Sequence, residues 1–531
     1  MRRTAVGVSA AFAVALVGGT GSGVAAEDGP TVLPARQITT DLNPVRAHTQ
    51  PEIAVHPDDP NTLVIVEASF LAGTCHAHVS RDGGHTWTQR EARPQPDSPP
   101  SCARPAFGAF LDLEFGPDGT LYFAGAASET KGSNEPTSPY VARSDDLGET
   151  WEIAMLADGT DTAEFTDHEG QTRRDTQRFS NTRLAVHPTD PDVVYVGYRY
   201  EPATLGFDEG PRRTRIAASE DAGRSWSELV DPFANLPPDE VYGSDQPALA
   251  VAPDGTAHAF TKERPEPDAE GFPRLLATTS TDGGRSWQGR VLDDSVAICG
   301  PCLTTPEAAI DPDNGNIYVV FELSESPPPN ARDDRDIWAI VSTDGGETFS
   351  DRVRLNDGLD PDRDPDNNQM FPGIDISPNG RVDVTWYDFR SDRAYNPDSR
   401  GTADHMGDLY WDVYYTYSRD GGQTWAPNVR ISDRSMHRQD GYAMHVQYHL
   451  GGPISVAATD ARTHVTWSDS RNGRPPDQLA EDAYYTSAVH DPSASASAVS
   501  FTSLALGGAS GLVLAGLVVV AMSLAMRRSS S

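Results

Sequence analysis

The sequence predicts an all-β fold, a seven-bladed β-propeller of four-stranded antiparallel blades followed by one C-terminal transmembrane helix, with a six-bladed ring plus an accessory hairpin as the alternative. Three observations predict it. An eight-residue phrase returns six times, at Ser80–Trp87 (SRDGGHTW), Ser144–Trp151 (SDDLGETW), Ser219–Trp226 (SEDAGRSW), Ser280–Trp287 (STDGGRSW), Ser342–Phe349 (STDGGETF) and Ser418–Trp425 (SRDGGQTW). Its copies lie 61 to 76 residues apart, the mark of stacked supersecondary units. Upstream of the phrases lies a recurring pair of alternating apolar runs around a Pro/Asp/Asn/Gly turn. The stretch carrying them is also too long for one compact two-layer domain and suits a large ring.

The paired runs include Leu111–Phe123 (LDLEFGPDGTLYF), Ala248–Phe260 (ALAVAPDGTAHAF), Ala308–Phe321 (AAIDPDNGNIYVVF) and Gly373–Trp386 (GIDISPNGRVDVTW). Period-two alternation around such turns signals a β-hairpin. A third strand leads into the phrase, as at Asp412–Tyr417, and a fourth leaves it, as at Asn428–Ser432; four strands make one blade. Seven hairpins are counted, starting near Glu52, Leu111, Arg183, Ala248, Ala308, Gly373 and Ile454. The last continues into a third strand, Ala483–Ala488, and ends without the phrase or a fourth strand. Ala35–Thr40 (ARQITT) is similar to the fourth strands Arg352–Asn356 and Val429–Ser432, so it is expected to complete the last blade and hide both sheet edges.

The ends carry other signals. Met1-Arg2-Arg3, the apolar run Ala5–Val17 and Val24-Ala25-Ala26 read as a signal peptide over residues 1–26. The propeller is assigned to 33–490, a flexible stalk to 491–503, and an uncharged membrane-crossing helix to 504–526; Arg527 and Arg528 open a cytoplasmic tail, 527–531. The ectodomain is therefore expected at the cell surface. Formal net charge is -36, and because Arg2, Arg3, Arg527 and Arg528 lie at the ends, residues 27–526 carry -40. Such a surface repels nucleic acid and anionic headgroups. The even cysteine count of an exported chain predicts the disulfides Cys75–Cys102 and Cys299–Cys302, with a four-thiolate zinc site as the alternative. Cys299-Gly-Pro-Cys302 lacks the flanking strand and helix of a redox pair.

No cofactor and no metal site are assigned. Calcium is raised only by Asp360–Asn368 (DPDRDPDNN), where Pro365 and Phe371 stand in place of the glycine and glutamate of a calcium loop. His445 and His449 share i,i+4 spacing, which brings metal ligands together only on a helix.

The phrase Ser/Thr-x-Asp-x-Gly-x-Thr/Ser-Trp/Phe resembles the Asp box, or BNR repeat, of the sialidase superfamily, over residues 50–490. The resemblance implies that Asp82, Asp146, Asp221, Asp282, Asp344 and Asp420 accept N–H bonds within structural turns, opposite the usual active face. Aligned on their turns, the hairpins place Glu67, Tyr198, Arg199, Lys262, Glu263, Glu322, Asp388 and Asp469 around the mouth of the other face. Trp386-Tyr-Asp388-Phe-Arg390 and Trp467-Ser-Asp469-Ser-Arg471 repeat one motif, each either a salt-bridged corner or a ligand contact. The long insertions Asp388–Tyr410 and Ser432–Gly452 share this face.

A sialidase-type glycosidase needs arginines for the sugar carboxylate, a glutamate-assisted tyrosine nucleophile and an aspartic acid/base. Catalytic candidates are then Tyr198, Glu263, Glu322 and Asp388; candidates for substrate binding are Arg199, Arg390, Asp469 and Arg471. The chain departs from the family in having no Arg-Ile-Pro motif before the first Asp box, Arg104-Pro105 coming after it, and in seven hairpins where six blades are usual. The expected function is that of a sialidase-like propeller that binds a glycan, with hydrolysis as one reading and non-catalytic recognition of glycan or protein as the other.

Overall fold

The computed structural model describes residues 29–69, 71–92, 111–128, 135–166, 170–204, 212–237, 241–264, 273–293, 305–324, 335–357, 368–391, 410–437, 440–442 and 452–490. The stretches expected to be signal, stalk, membrane helix and tail, with Asp360–Pro365, His445 and His449, lie outside them. Among the described residues no helix is long and apolar enough to cross a membrane. The chain is a β-propeller built of strands and turns.

Five sheets stand alone, and their inner strands include Asp112–Phe115, Thr172–Val186, Ala248–Val251, Glu307–Ile310 and Gln369–Ile376. In each, a second strand returns antiparallel from a tight turn, with Asp112 opposite Ala124 and Ala248 opposite Phe260. In four of the five the turn bends at a glycine in the left-handed region, such as Gly119 at φ 84°, which a side chain disfavours. The third and fourth strands are as expected at Tyr410–Ser418 and Val429–Arg430. One sheet departs from the pattern. Thr162–Thr166 pairs with the long Thr172–Val186 strand, while the expected fourth strand shrinks to a single bridge, Ile216 to Val230.

The sixth sheet holds nine strands. Ser455–Ala458, Arg462–Asp469 and Leu479–Val489 run side by side, followed by Val45–His56, Asp59–Ser69, Thr74–Ser80 and Thr88–Glu91. The N-terminal strands Thr31–Val32 and Arg36–Gln37 pair antiparallel with Leu479–Val489, Arg36 meeting Tyr485 and Gln37 meeting Tyr484. The expected closure by Ala35–Thr40 is thus present. Unexpectedly, the chain then runs beside the same strand in parallel, Val45 to Leu479 and Ala47 to Glu481, which fuses the first and last strand groups into one sheet.

Apolar side chains join successive sheets around the ring. Val64, Val66 and Ala77 pack with Leu113, Phe123 and Trp151, and at the closure Ile38, Ile53 and Ile65 pack with Ala457 and Tyr485. Central strands buried on both faces explain their dense Val, Ile and Tyr content.

The repeated phrases fold alike. In the first, Ser80 Oγ donates to Asp82 Oδ1 (2.8 Å), while Asp82 accepts the Thr86 N–H (2.8 Å) and hydroxyl (2.6 Å). The Gly84 N–H donates to Ser80 Oγ, and Trp87 Nε1 donates to the Gly84 carbonyl. Asp146, Asp221, Asp282, Asp344 and Asp420 make the same bonds. The second glycine lies against the preceding strand group, Gly148 on Ala77, Gly223 on Tyr122, Gly284 on Tyr195, Gly346 on His258 and Gly422 on Val341 and Tyr318, while Gly84 meets Tyr485 of the last group. Each turn is therefore a staple between neighbours as well as a corner of its own sheet.

The last strand group, which has no such phrase, is fastened differently. His490 packs on Tyr415 and Tyr417 and sits 2.9 Å from the Tyr415 hydroxyl, and buried Arg381 donates to the carbonyls of Thr459 and Asp460.

These turns also set an acid limit. Bonds from Ser286 at Asp282 and from Thr348 at Asp344 hold both carboxyls down at about 2. A depressed folded pKa contributes stability above the ordinary carboxylate value near 4, and that stability is lost as pH falls toward 2. The melting temperature of the Asp344→Asn variant is accordingly expected to fall less steeply over that range than that of the parent; an equal slope would mean the turn does not couple to unfolding.

Candidate functional site

Inner strands from seven segments surround a central channel of about 440 Å³. Strand alternation puts Glu52, Asp112, Arg183, Glu307 and Ser455 in one layer, and Glu114 and Asp375 among alanines (Ala54, Ala185, Ala309) in the next. Arg183 clasps Glu307 through Nε (3.2 Å) and its terminal nitrogen. Three acids cross to the next strand: Asp112 accepts the Leu184 N–H (2.6 Å), Glu114 the Val186 N–H (3.0 Å) and Asp375 the Ala458 N–H (2.6 Å). Burial raises Glu52, Asp112, Glu114 and Glu307, with Arg183 opposing, and takes Asp375 to about 7 against its N–H bonds.

The loop-side end, opposite the phrases, begins with a repeated bulge. Gln50, Asn181 and Phe371 adopt φ 55°, 53° and 55° where the register shifts in their inner strands. Non-glycine residues held there are strained, which surrounding structure must enforce. Beside them Thr49 Oγ1, Gln50 Oε1, Ser180 Oγ and Thr182 Oγ1 are buried with no hydrogen-bond partner among the described residues.

The charged candidates of this end are ion-paired. Glu263 takes a two-pronged grip from Arg274 (2.7 and 2.7 Å), and Glu322 accepts from Arg335 (3.0 Å) and from the Phe371 N–H. Asp388 binds Trp386 Nε1 and both arms of Arg390, which also reaches Asp357 and lies 4.1 Å over the Tyr414 ring. Asp469, Trp467 and Arg471 repeat this corner, with Asp433 and Tyr484 as outer partners. Arg199 is buried beside Glu201 (3.4 Å) and Asp245 (3.6 Å), where Arg178 and Arg212 also bond Glu201. Burial opposes ionisation of Glu201, but these arginines hold it at about 2. Lys262, buried next to Asp245, is lowered by burial to about 8.

Tyr198 is not at the mouth. It is fully buried in the cluster with Phe179 and Tyr122, donates its hydroxyl to the Tyr140 carbonyl (2.8 Å), and is raised well above 10 by burial. Its strand alternates faces, so it points into the core while Arg199 points away. Among the described residues no hydrogen bond or ion pair links Glu263, Glu322 and Asp388 to one another.

The first strand group adds a cluster that spacing alone did not reveal. Glu67, fully buried, lies 3.0 Å from His48 Nδ1 and 2.7 Å from His76 Nδ1, with His78 Nε2 at 3.5 Å. His48 Nε2 meets Asp41 at 2.5 Å. The available signal was His76-Ala77-His78, two imidazoles on one face of a strand. Cys75, beside it, is buried and disulfide-bonded; Cys102, Cys299 and Cys302 lie outside the described residues.

A family model described as BNR/Asp-box repeat matches residues 416–427, which contain the sixth of the turns whose bonds recur throughout. The chain carries BNR/Asp-box turns on a β-propeller fold. The resemblance of this Asp-box propeller to the sialidase superfamily rests on those turns. No curated protein matches it in sequence. Solved structures similar to it include an α-L-arabinanase of Penicillium chrysogenum complexed with arabinobiose (17% identity, 67% of this chain and 94% of that one, TM-score 0.43). Others are the Hadza microbial sialidase Hz136 (15%, 82% and 74%, TM-score 0.44) and a leech intramolecular trans-sialidase (12%, 80% and 82%, TM-score 0.43).

Proposed function

We propose that the chain is a seven-bladed propeller, held outside the cell by residues 504–526, that recognises neutral glycans at its loop-side face without hydrolysing them. The observation that carries this reading is that each candidate acid there, Glu263, Glu322, Asp388 and Asp469, is engaged by its own arginine. Glycoside hydrolysis needs two carboxyl groups facing one bond, one to donate a proton and one to attack or to activate water. An arginine clamp occupies those oxygens, and a tyrosine buried like Tyr198 cannot reach a sugar. Inner strands from seven segments around the channel support seven blades. The net charge of -36 disfavours acidic sugars.

The test is binding of the purified chain to immobilised neutral and sialylated glycans, with released sugar measured in parallel. Saturable binding to neutral glycans with no sugar released is expected; turnover of any glycan refutes the reading. Removing the clamps is expected to act on stability. Arg390→Ala and Arg471→Ala each strand a buried aspartate, and each should lower unfolding free energy by about 1–3 kcal/mol, discounted for the partly exposed arginine. Glycan affinity of the folded variants should be unchanged; loss of binding without loss of stability would instead make these arginines ligand contacts.

A further inference from the structure

We propose that His48, Glu67 and His76 form a binding site for a divalent transition-metal ion of the zinc type, with one position open to the adjoining cavity. The reading is independent of glycan binding. Two imidazole nitrogens and a carboxylate oxygen lie within 4.8 Å of one another, each available as one ligand atom. Zinc with bonds of about 2.0–2.2 Å sets its ligands roughly 3–3.6 Å apart, so contacts of 3.0 and 2.7 Å need only small rotations to admit an ion.

Rigid backbone supplies all three. His48 lies near the start of the Val45–His56 strand, Glu67 near the end of Asp59–Ser69, and His76 on Thr74–Ser80 stands directly opposite Glu67 in the sheet. Such sites are more precise than those on loops. Asp41 against His48 Nε2 is the carboxylate–histidine contact that fixes a ligating tautomer, leaving Nδ1 for the metal. His78 stands behind as a further partner of Glu67.

Glu67 gives the site its reason. A fully buried carboxylate needs compensating charge, and the described side chains bonded to it are three imidazoles. A divalent ion between neutral imidazoles supplies that charge; a protonated histidine is the competing arrangement. Imidazole with one carboxylate favours zinc, cobalt or iron over calcium and magnesium, which prefer all-oxygen cages. Two of the ligands, His48 and His76, also line a cavity of about 330 Å³ with Asp41, Ser69, Thr74 and Gln89. An ion there would therefore meet a water or a small oxygen ligand on its fourth side.

The experiment strips the purified chain with a chelator, then titrates Zn²⁺, Co²⁺, Ca²⁺ and Mg²⁺ while following bound metal, melting temperature and the visible spectrum of Co²⁺. One Zn²⁺ or Co²⁺ per chain, a raised melting temperature and no response to Ca²⁺ or Mg²⁺ are expected. His48→Ala and His76→Ala should each weaken Zn²⁺ at least about tenfold, and His85→Ala should leave it unchanged. No stoichiometric ion, or uptake that survives both substitutions, overturns the site. If neither variant folds, the parent's Co²⁺ spectrum decides: bands of nitrogen and oxygen ligation support the proposal, and thiolate charge-transfer bands place the ion on cysteine and refute it.

Discussion

Replacing Gly84 by alanine is expected to lower unfolding free energy by about 2–5 kcal/mol, from left-handed strain of about 1–2 and overpacking of about 1–3. Gly84 sits at φ 86°, and a Cβ there would overlap the Tyr485 ring from the last strand of the ring. Tyr485 cannot retreat easily, since it is buried, packs edge-on to Trp87 and donates to the Gly83 carbonyl. Gly345 is the internal control. It has φ 73° in an equivalent turn, yet nothing lies within 4 Å of its added Cβ, so Gly345→Ala should cost only about 1 kcal/mol of strain. Denaturant unfolding of both variants, with Tyr485→Ala to close a double-mutant cycle, measures the coupling. Equal losses at the two glycines would show that the staple does not bear on stability.

Replacing Asp375 by asparagine should make the protein more stable at neutral pH. Burial in the channel raises this carboxyl to about 7, well above the ordinary carboxylate range. A raised folded pKa contributes stability that is complete below the unfolded value near 4 and is lost as pH climbs through 7. At and above neutrality the parent therefore carries a destabilised carboxylate worth roughly 2–4 kcal/mol, which asparagine removes while its carbonyl still accepts the Ala458 N–H. The variant's advantage should appear between about pH 5 and 7 and vanish near pH 4. An advantage that does not change with pH would mean that Asp375 is already charged in the folded chain. Glu52 and Glu114 are raised in the same sense, so the parent should lose further stability on the alkaline side.

Much of the fold could be read because the same local chemistry recurs. Each Asp box repeats a serine, an aspartate and two left-handed positions that only one turn satisfies, and Ala35–Thr40 had the pattern of a fourth strand with no sheet of its own. The parallel pairing of Val45–Ala47 was not legible, because a three-residue contact leaves no period. Nor was the place of Tyr198, since one residue of register decides between core and mouth. The pairs at Asp388 and Asp469 were visible as i,i+2 motifs. Glu67 with its imidazoles was not, since the ligands come from three strands whose alignment only the fold supplies. The channel acids were hidden for a similar reason: Asp112, Glu114 and Asp375 sit in alternating runs that read as hairpins, and only ring closure turns that face inward.

The backward reach of the Asp boxes bears on the order in which the molecule is made. Five of them rest on a sheet synthesised earlier, so each new unit finds its seat already present as the chain emerges. The first does not: Gly84 and Trp87 wait for Tyr485, as Arg36 and Gln37 wait for the same strand. Contacts spanning nearly the whole ring are the slowest to form, and unpaired strand edges stay exposed to other chains until they do. Ring closure therefore waits for residues 479–489, and the edge that Arg36, Gln37 and Val45–Ala47 are to cover has no partner until that strand is made.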